Sequence, residues 1–133
     1  MTRCLFAWVG KERGKEPEAA LCGLYLERIN LYLKAEERVV KPFVGGNADT
    51  VRQKEGEKLA ALLEPRDFLV LLDERGKSLT SPGLAELIQS RRDHGDPRLV
   101  FLVGGAMGLC PSLRQRADFM LSLSKMTLPH ALA

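Results

Sequence analysis

LVFLVGGAMGL, residues 99–109, decides how the chain is read. Its first five residues are apolar without alternation. The run is too short for a helix and stops at a glycine pair, which fits a strand covered on both faces. Such strands belong to parallel sheets with helices above and below. FLVLL, residues 68–72, has the same character, and CLFAWV, residues 4–9, opens the chain with another. Helical patterns lie between them. Leu21, Leu24, Tyr25, Ile29, Tyr32 and Leu33 recur at helical spacing after Pro17, which predicts an inward face. RVVKPFV, residues 38–44, is a further strand, set at an edge or broken by Pro42. After the Gly45-Gly46-Asn47 loop, Asp49 is the candidate cap of a helix carrying Val51, Leu59, Leu62 and Leu63. Ser81-Pro82 reads as a capping serine and a first-turn proline, opening a helix through Leu84, Leu87 and Ile88. A helix from Cys110-Pro111-Ser112 to Phe119 precedes a last strand that begins at Met120. This alternation predicts an α/β sandwich, one domain over residues 1–133, with a mostly parallel sheet and right-handed crossovers.

The totals agree. A chain of 133 residues buries roughly two-thirds of its unfolded surface and needs no staples. No apolar run approaches the ~20 residues of a membrane span, and the start carries no secretory pattern, so a cytoplasmic protein with no membrane partner is expected. Cys4, Cys22 and Cys110 are far apart and share no metal spacing with His94 or His130, which predicts reduced thiols and no metal. A net charge of +3 permits a nucleic-acid partner without requiring one.

In an open parallel sheet, ligands bind beyond the carboxyl ends of the strands. Here those ends are Leu72-Asp73, Val103-Gly104-Gly105 and the stretch after Leu121. The glycine pair fits either a tight turn or a loop whose backbone approaches a flat ring or sugar. It matches neither G-x-G-x-x-G nor the G-K-[ST] of a phosphate loop, which argues against NAD and ATP. LSLSKMTLPH, residues 121–130, is either a strand end and loop or a backbone that bonds an adenine edge. In the second case Leu123, Met126 and Leu128 cover the ring. Met107 adds apolar contact near a ligand or packs in the core. Asp73 contacts a ribose or caps its own turn. His130 accepts a proton or is bonded within its turn, and His94 reads as a helix-end residue. Lys11, Arg13 and Lys15, with Arg3, Arg114 and Arg116, form a basic face for a nucleic acid or simply solvated charge.

GG-x-x-G-L followed by LSLSKMTLPH resembles the ribosomal RNA large-subunit methyltransferase H family, the small single-domain branch of the SPOUT methyltransferases. Residues 6–11 (FAWVGK), Asn47-Ala48-Asp49 with Lys54-Glu55-Gly56-Glu57, Leu71-Leu72-Asp73, Gly76-Lys77 and Ser81 extend the likeness along the chain. The resemblance implies methyl transfer from S-adenosylmethionine to N3 of a pseudouridine in large-subunit ribosomal RNA. It implies action on the assembled ribosome by a homodimer with a C-terminal trefoil knot. The cofactor pocket it implies comprises Leu72, Gly104, Gly105, Leu123, Ser124, Lys125, Met126, Thr127 and Leu128. Lys11, Lys15 and His130 would face RNA, no metal is needed, and no catalytic base is assigned. One departure is expected to matter. Family members continue past the position of Ala133 with an arginine-led helix and a Tyr-His tail. Without that segment the alternative is a non-catalytic relic that binds S-adenosylmethionine or RNA, and a plain structural domain is the third possibility.

Overall fold

A computed structural model describes residues 2–10 and 16–129. In chain order the elements are β1 (Arg3–Val9), α1 (Pro17–Ile29), β2 (Lys34–Val40), α2 (Ala48–Ala60) and β3 (Phe68–Ser78). They continue with α3 (Ser81–His94), β4 (Arg98–Val103), α4 (Pro111–Arg116) and β5 (Phe119–Ser122). Among the described residues the strands form one sheet in the order β2-β1-β4-β3-β5, and every neighbouring pair is parallel.

The apolar strands hide a period of two that only the layers reveal. Leu5, Ala7, Val9, Leu69, Leu71, Val100 and Leu102 face Leu59 of α2 and Leu113 of α4. Cys4, Val70, Leu99 and Phe101 face the other way, against Leu26 and Ile29 of α1 and Leu84 and Ile88 of α3. Phe6 stacks on Phe101 in this second layer, with ring centroids 5.3 Å apart. The helices thus alternate between the two faces. α1 and α3 carry the chain one way across the sheet, and α2 and α4 carry it the other way on the opposite face. The four crossovers therefore share one hand.

Several local expectations need correction. The predicted inward face of α1 is split. Leu26, Ile29 and Leu33 pack on the sheet, while Leu21, Leu24, Tyr25 and Tyr32 are exposed. The helix carries more apolar residues than one stripe can bury. β2 ends at Val40, before Pro42, which lacks the N–H a continuing ladder would use. Asn47, not Asp49, caps α2 by accepting from Thr50 N at 2.9 Å, and Asp49 pairs with Arg52 instead. Thr80, not Ser81, caps α3 through Gly83 N at 3.0 Å, leaving Ser81 inside the first turn. α4 stops at Arg116, short of Phe119, which starts β5. His94 closes α3 as expected, with Gly95 in the left-handed region behind it.

Candidate functional site

β3 does not end at Leu72-Asp73 as expected but runs on to Ser78. Leu121 of β5 is paired with Leu72 and again with Lys77, so residues 73–76 leave the ladder as a bulge. Gly76 closes the bulge against the backbone of β5. A Cβ there would lie 2.6 Å from the Met120 carbonyl oxygen. The bulge stands beside the carboxyl ends of β4 and β5, and a cavity of about 460 Å³ opens between them.

Three walls line it. Leu72, Asp73, Glu74 and Arg75 form the first, and Val103 to Ala106 with Gly108 and Leu109 form the second. Leu123, Ser124, Met126, Thr127 and Leu128 form the third, and Arg114 of α4 reaches in beside them. The volume and mixed lining suit a small organic ligand. The loop after β5 is shaped by Ser122 Oγ donating to the Ser124 carbonyl (2.8 Å) and by Met126 N–H donating to Ser124 Oγ (3.0 Å). It is tied to the bulge where Thr127 Oγ1 donates to Glu74 Oε2 at 2.5 Å.

Asp73 is the electrostatic centre of the rim. Its side chain is 8% exposed and pairs with Arg75 (3.3 Å) and Arg114 (2.5 Å). Burial alone would raise its carboxyl. Hydrogen bonds from the Arg75 side chain and backbone, then the bond and charge of Arg114, outweigh burial and lower it to about 2. Asp73 also accepts from Arg75 N at 2.8 Å, which is the turn-capping role.

The glycine loop explains its own composition differently from the expectation. Gly108, at φ +82°, is the residue that needs left-handed freedom, and its N–H bonds the Gly105 carbonyl at 3.0 Å. The space a Cβ would take at Gly104 is filled by Gly108 and Leu109. At Gly105 it is filled by Glu55 and Val9. The pair is small because the protein packs behind it, and its backbone is what faces the cavity.

Of the residues the sequence singled out, Leu72, Gly104, Gly105, Leu123, Ser124, Met126, Thr127 and Leu128 line this one cavity. Lys125 is exposed on the same loop but not in the lining. Met107 is neither core nor lining. Its side chain is exposed at the loop tip. Lys11, Arg13, Lys15 and His130 lie outside the described residues. The rest of the expected basic face is dispersed. Arg3 pairs with Glu64, and Arg116 bonds Asp118 and the Asp67 carbonyl at the amino end of the sheet, while Arg114 sits at the cavity.

Sequence reasoning missed Arg75, Arg52 and Glu55. Arg52 donates to the Met107 carbonyl at 3.1 Å. Glu55 is buried behind Gly105. Its signal was present. It shares a helical stripe with Val51, Leu59 and Leu62, where a carboxylate is out of place. Among the described residues, no group of three or more His, Cys, Asp or Glu is placed to hold a metal.

A parallel sheet with helices on both faces and a cleft at its carboxyl ends defines an α/β architecture of the kind in which ligands bind outside those ends. The chain matches the family model described as "Predicted SPOUT methyltransferase" over residues 2–133, and it belongs to that family. It is 42% identical over 123 residues to the ribosomal RNA large subunit methyltransferase H of Pelobacter propionicus, covering 92% of this chain and 80% of that one. It is 40% identical over 128 residues to the protein of the same name from Citrifermentans bemidjiense, covering 96% and 82%. The counterpart from Desulforamulus reducens is 43% identical over 114 residues, covering 81% and 71%.

Proposed function

We propose that this chain transfers a methyl group from S-adenosylmethionine to N3 of a pseudouridine in large-subunit ribosomal RNA. It would act on the assembled ribosome, in the cytoplasm, as a homodimer. One observation carries the reading. Three segments far apart in sequence, at Leu72, Gly104-Gly105 and residues 123–128, meet around one cavity. The names of the relatives, which specify methylation of large-subunit ribosomal RNA, support the same substrate.

The lining fits the methyl donor. Leu72, Leu123, Met126 and Leu128 give apolar faces for a flat base, and the backbone of the glycine loop offers close approach. Ser124 and Thr127 add small polar groups. When bound, S-adenosylmethionine supplies an electrophilic methyl on a sulfonium. The residues then need chiefly to align that methyl with the accepting nitrogen and exclude alternatives. Asp73 is a poor proton acceptor because Arg75 and Arg114 hold it ionised. Its part is to fix the rim.

The test is label transfer. Assembled ribosomes lacking the modification are incubated with the chain and methyl-labelled S-adenosylmethionine, and the labelled nucleoside is identified by mass spectrometry. N3-methylated pseudouridine is the expected product. Cofactor binding with no label in RNA would sink the transfer reading in favour of a binding relic. Label at another nucleoside would sink the stated specificity.

A further inference from the structure

Glu55 has a place that packing alone does not explain. It sits in the buried stripe of α2 and is only 4% exposed. A carboxyl in such a stripe persists where something accepts or donates to it. Oε2 accepts from Phe43 N at 3.2 Å. Oε1 is buried and meets no hydrogen-bond donor among the described residues. That oxygen is aimed at the glycine loop, for a Cβ on Gly105 would come within 2.8 Å of it. One turn earlier on the same helix, Arg52 bonds the Met107 carbonyl at 3.1 Å. α2 therefore meets the loop at its start and at its tip, from the side away from the cavity.

We propose that Glu55 is a positioning residue for the glycine loop. Its open Oε1 is the acceptor that holds the peptide N–H groups at Gly105 and Ala106 when the loop settles on the methyl donor, while Arg52 holds the far end. The second glycine of the pair then follows, because any side chain at 105 would occupy the place of that oxygen. The inference rests on the reading of the cavity as the methyl-donor site. It adds a residue that touches no ligand and acts through the loop alone.

The test compares wild type, Glu55→Gln and Arg52→Met by three measurements. These are amide hydrogen exchange over residues 104–108 with S-adenosylhomocysteine bound, calorimetric affinity for the same ligand, and the thermal midpoint. Glutamine keeps an oxygen for Phe43 N but turns an NH2 donor toward the loop's own donors. Exchange in the loop should quicken about fivefold. The Kd should rise about tenfold. The midpoint should stay within a few degrees, which separates positioning from a general loss of fold. Arg52→Met should move exchange and Kd in the same direction. A wild-type Kd and wild-type loop exchange in Glu55→Gln would overturn the proposal. If Glu55→Gln does not fold, Arg52→Met decides, and an unchanged loop in that variant overturns it equally. If wild type itself binds nothing, the cavity reading fails and the holding role of Glu55 fails with it, whereas binding that Glu55→Gln leaves intact overturns the holding role alone.

Discussion

Replacing Gly104 by alanine should cost stability and ligand affinity together. The added methyl would stand 2.9 Å from the Gly108 carbonyl carbon, 3.1 Å from its oxygen and 2.9 Å from Leu109 Cγ. Carbon pairs prefer about 3.5–4.0 Å. One neighbour is backbone and the other is a buried leucine, so neither yields freely. Overpacking by a single methyl costs about 1–3 kcal/mol. For a chain of 133 residues that lowers Tm by roughly 3–12 °C. The displaced segment is the turn held by Gly108 N–H on the Gly105 carbonyl, which forms the cavity wall. Affinity for S-adenosylmethionine should therefore fall about tenfold or more. Thermal unfolding followed by circular dichroism reads the first effect and calorimetric titration the second. Gly23→Ala is the control. A Cβ there meets nothing within 4 Å, on an exposed helical position. It should stabilise by about 0.5–1 kcal/mol and leave binding alone. A Gly104→Ala variant with wild-type Tm would refute the packing argument. Reduced Tm with intact affinity would detach the loop from the ligand.

Other consequences follow from named contacts. Asp67 is fully buried against Arg98, at 2.6 Å, and also accepts from Glu64 N. Asp67→Ala strands the arginine and should cost about 3–5 kcal/mol, read as a lower urea midpoint at unchanged slope. Asp73 holds off its proton until about pH 2, below its unfolded value of about 3.9. Its stabilisation is complete above about pH 4 and is lost as pH falls through about 2, so Asp73→Asn should flatten the acid limb of a stability–pH curve in that window. A steeper limb in the variant would contradict the sign. Burial pushes the Cys4 thiol up to about 12, so it should resist a maleimide at pH 8 until urea unfolds the chain, as peptide mapping would show.

The layers were legible because LVFLV and FLVLL lack alternation, and buried parallel strands are the simplest structure that tolerates it. The cavity was half legible for the same reason, since its walls are strand ends. What escaped was tertiary. The split face of α1 depends on which of its apolar residues the sheet can reach. The bulge at residues 73–76 depends on a register shift against a strand more than forty residues later. The choice of Asn47 and Thr80 as caps over their neighbours is a matter of one residue of backbone geometry. Arg114, far along the chain, meets Asp73 only after folding, so no spacing announces it. The glycine pair was read as a tight turn or a close approach to a ligand, and the packing of Gly108, Leu109, Glu55 and Val9 behind it is tertiary.

Calorimetric titration of the purified chain with S-adenosylmethionine asks whether the cavity holds the methyl donor. Saturable binding at one ligand per chain is expected, and Gly104→Arg, whose side chain has no room behind the loop, should abolish it. A folded protein that shows no binding, or a Gly104→Arg variant that binds as wild type does, would contradict it.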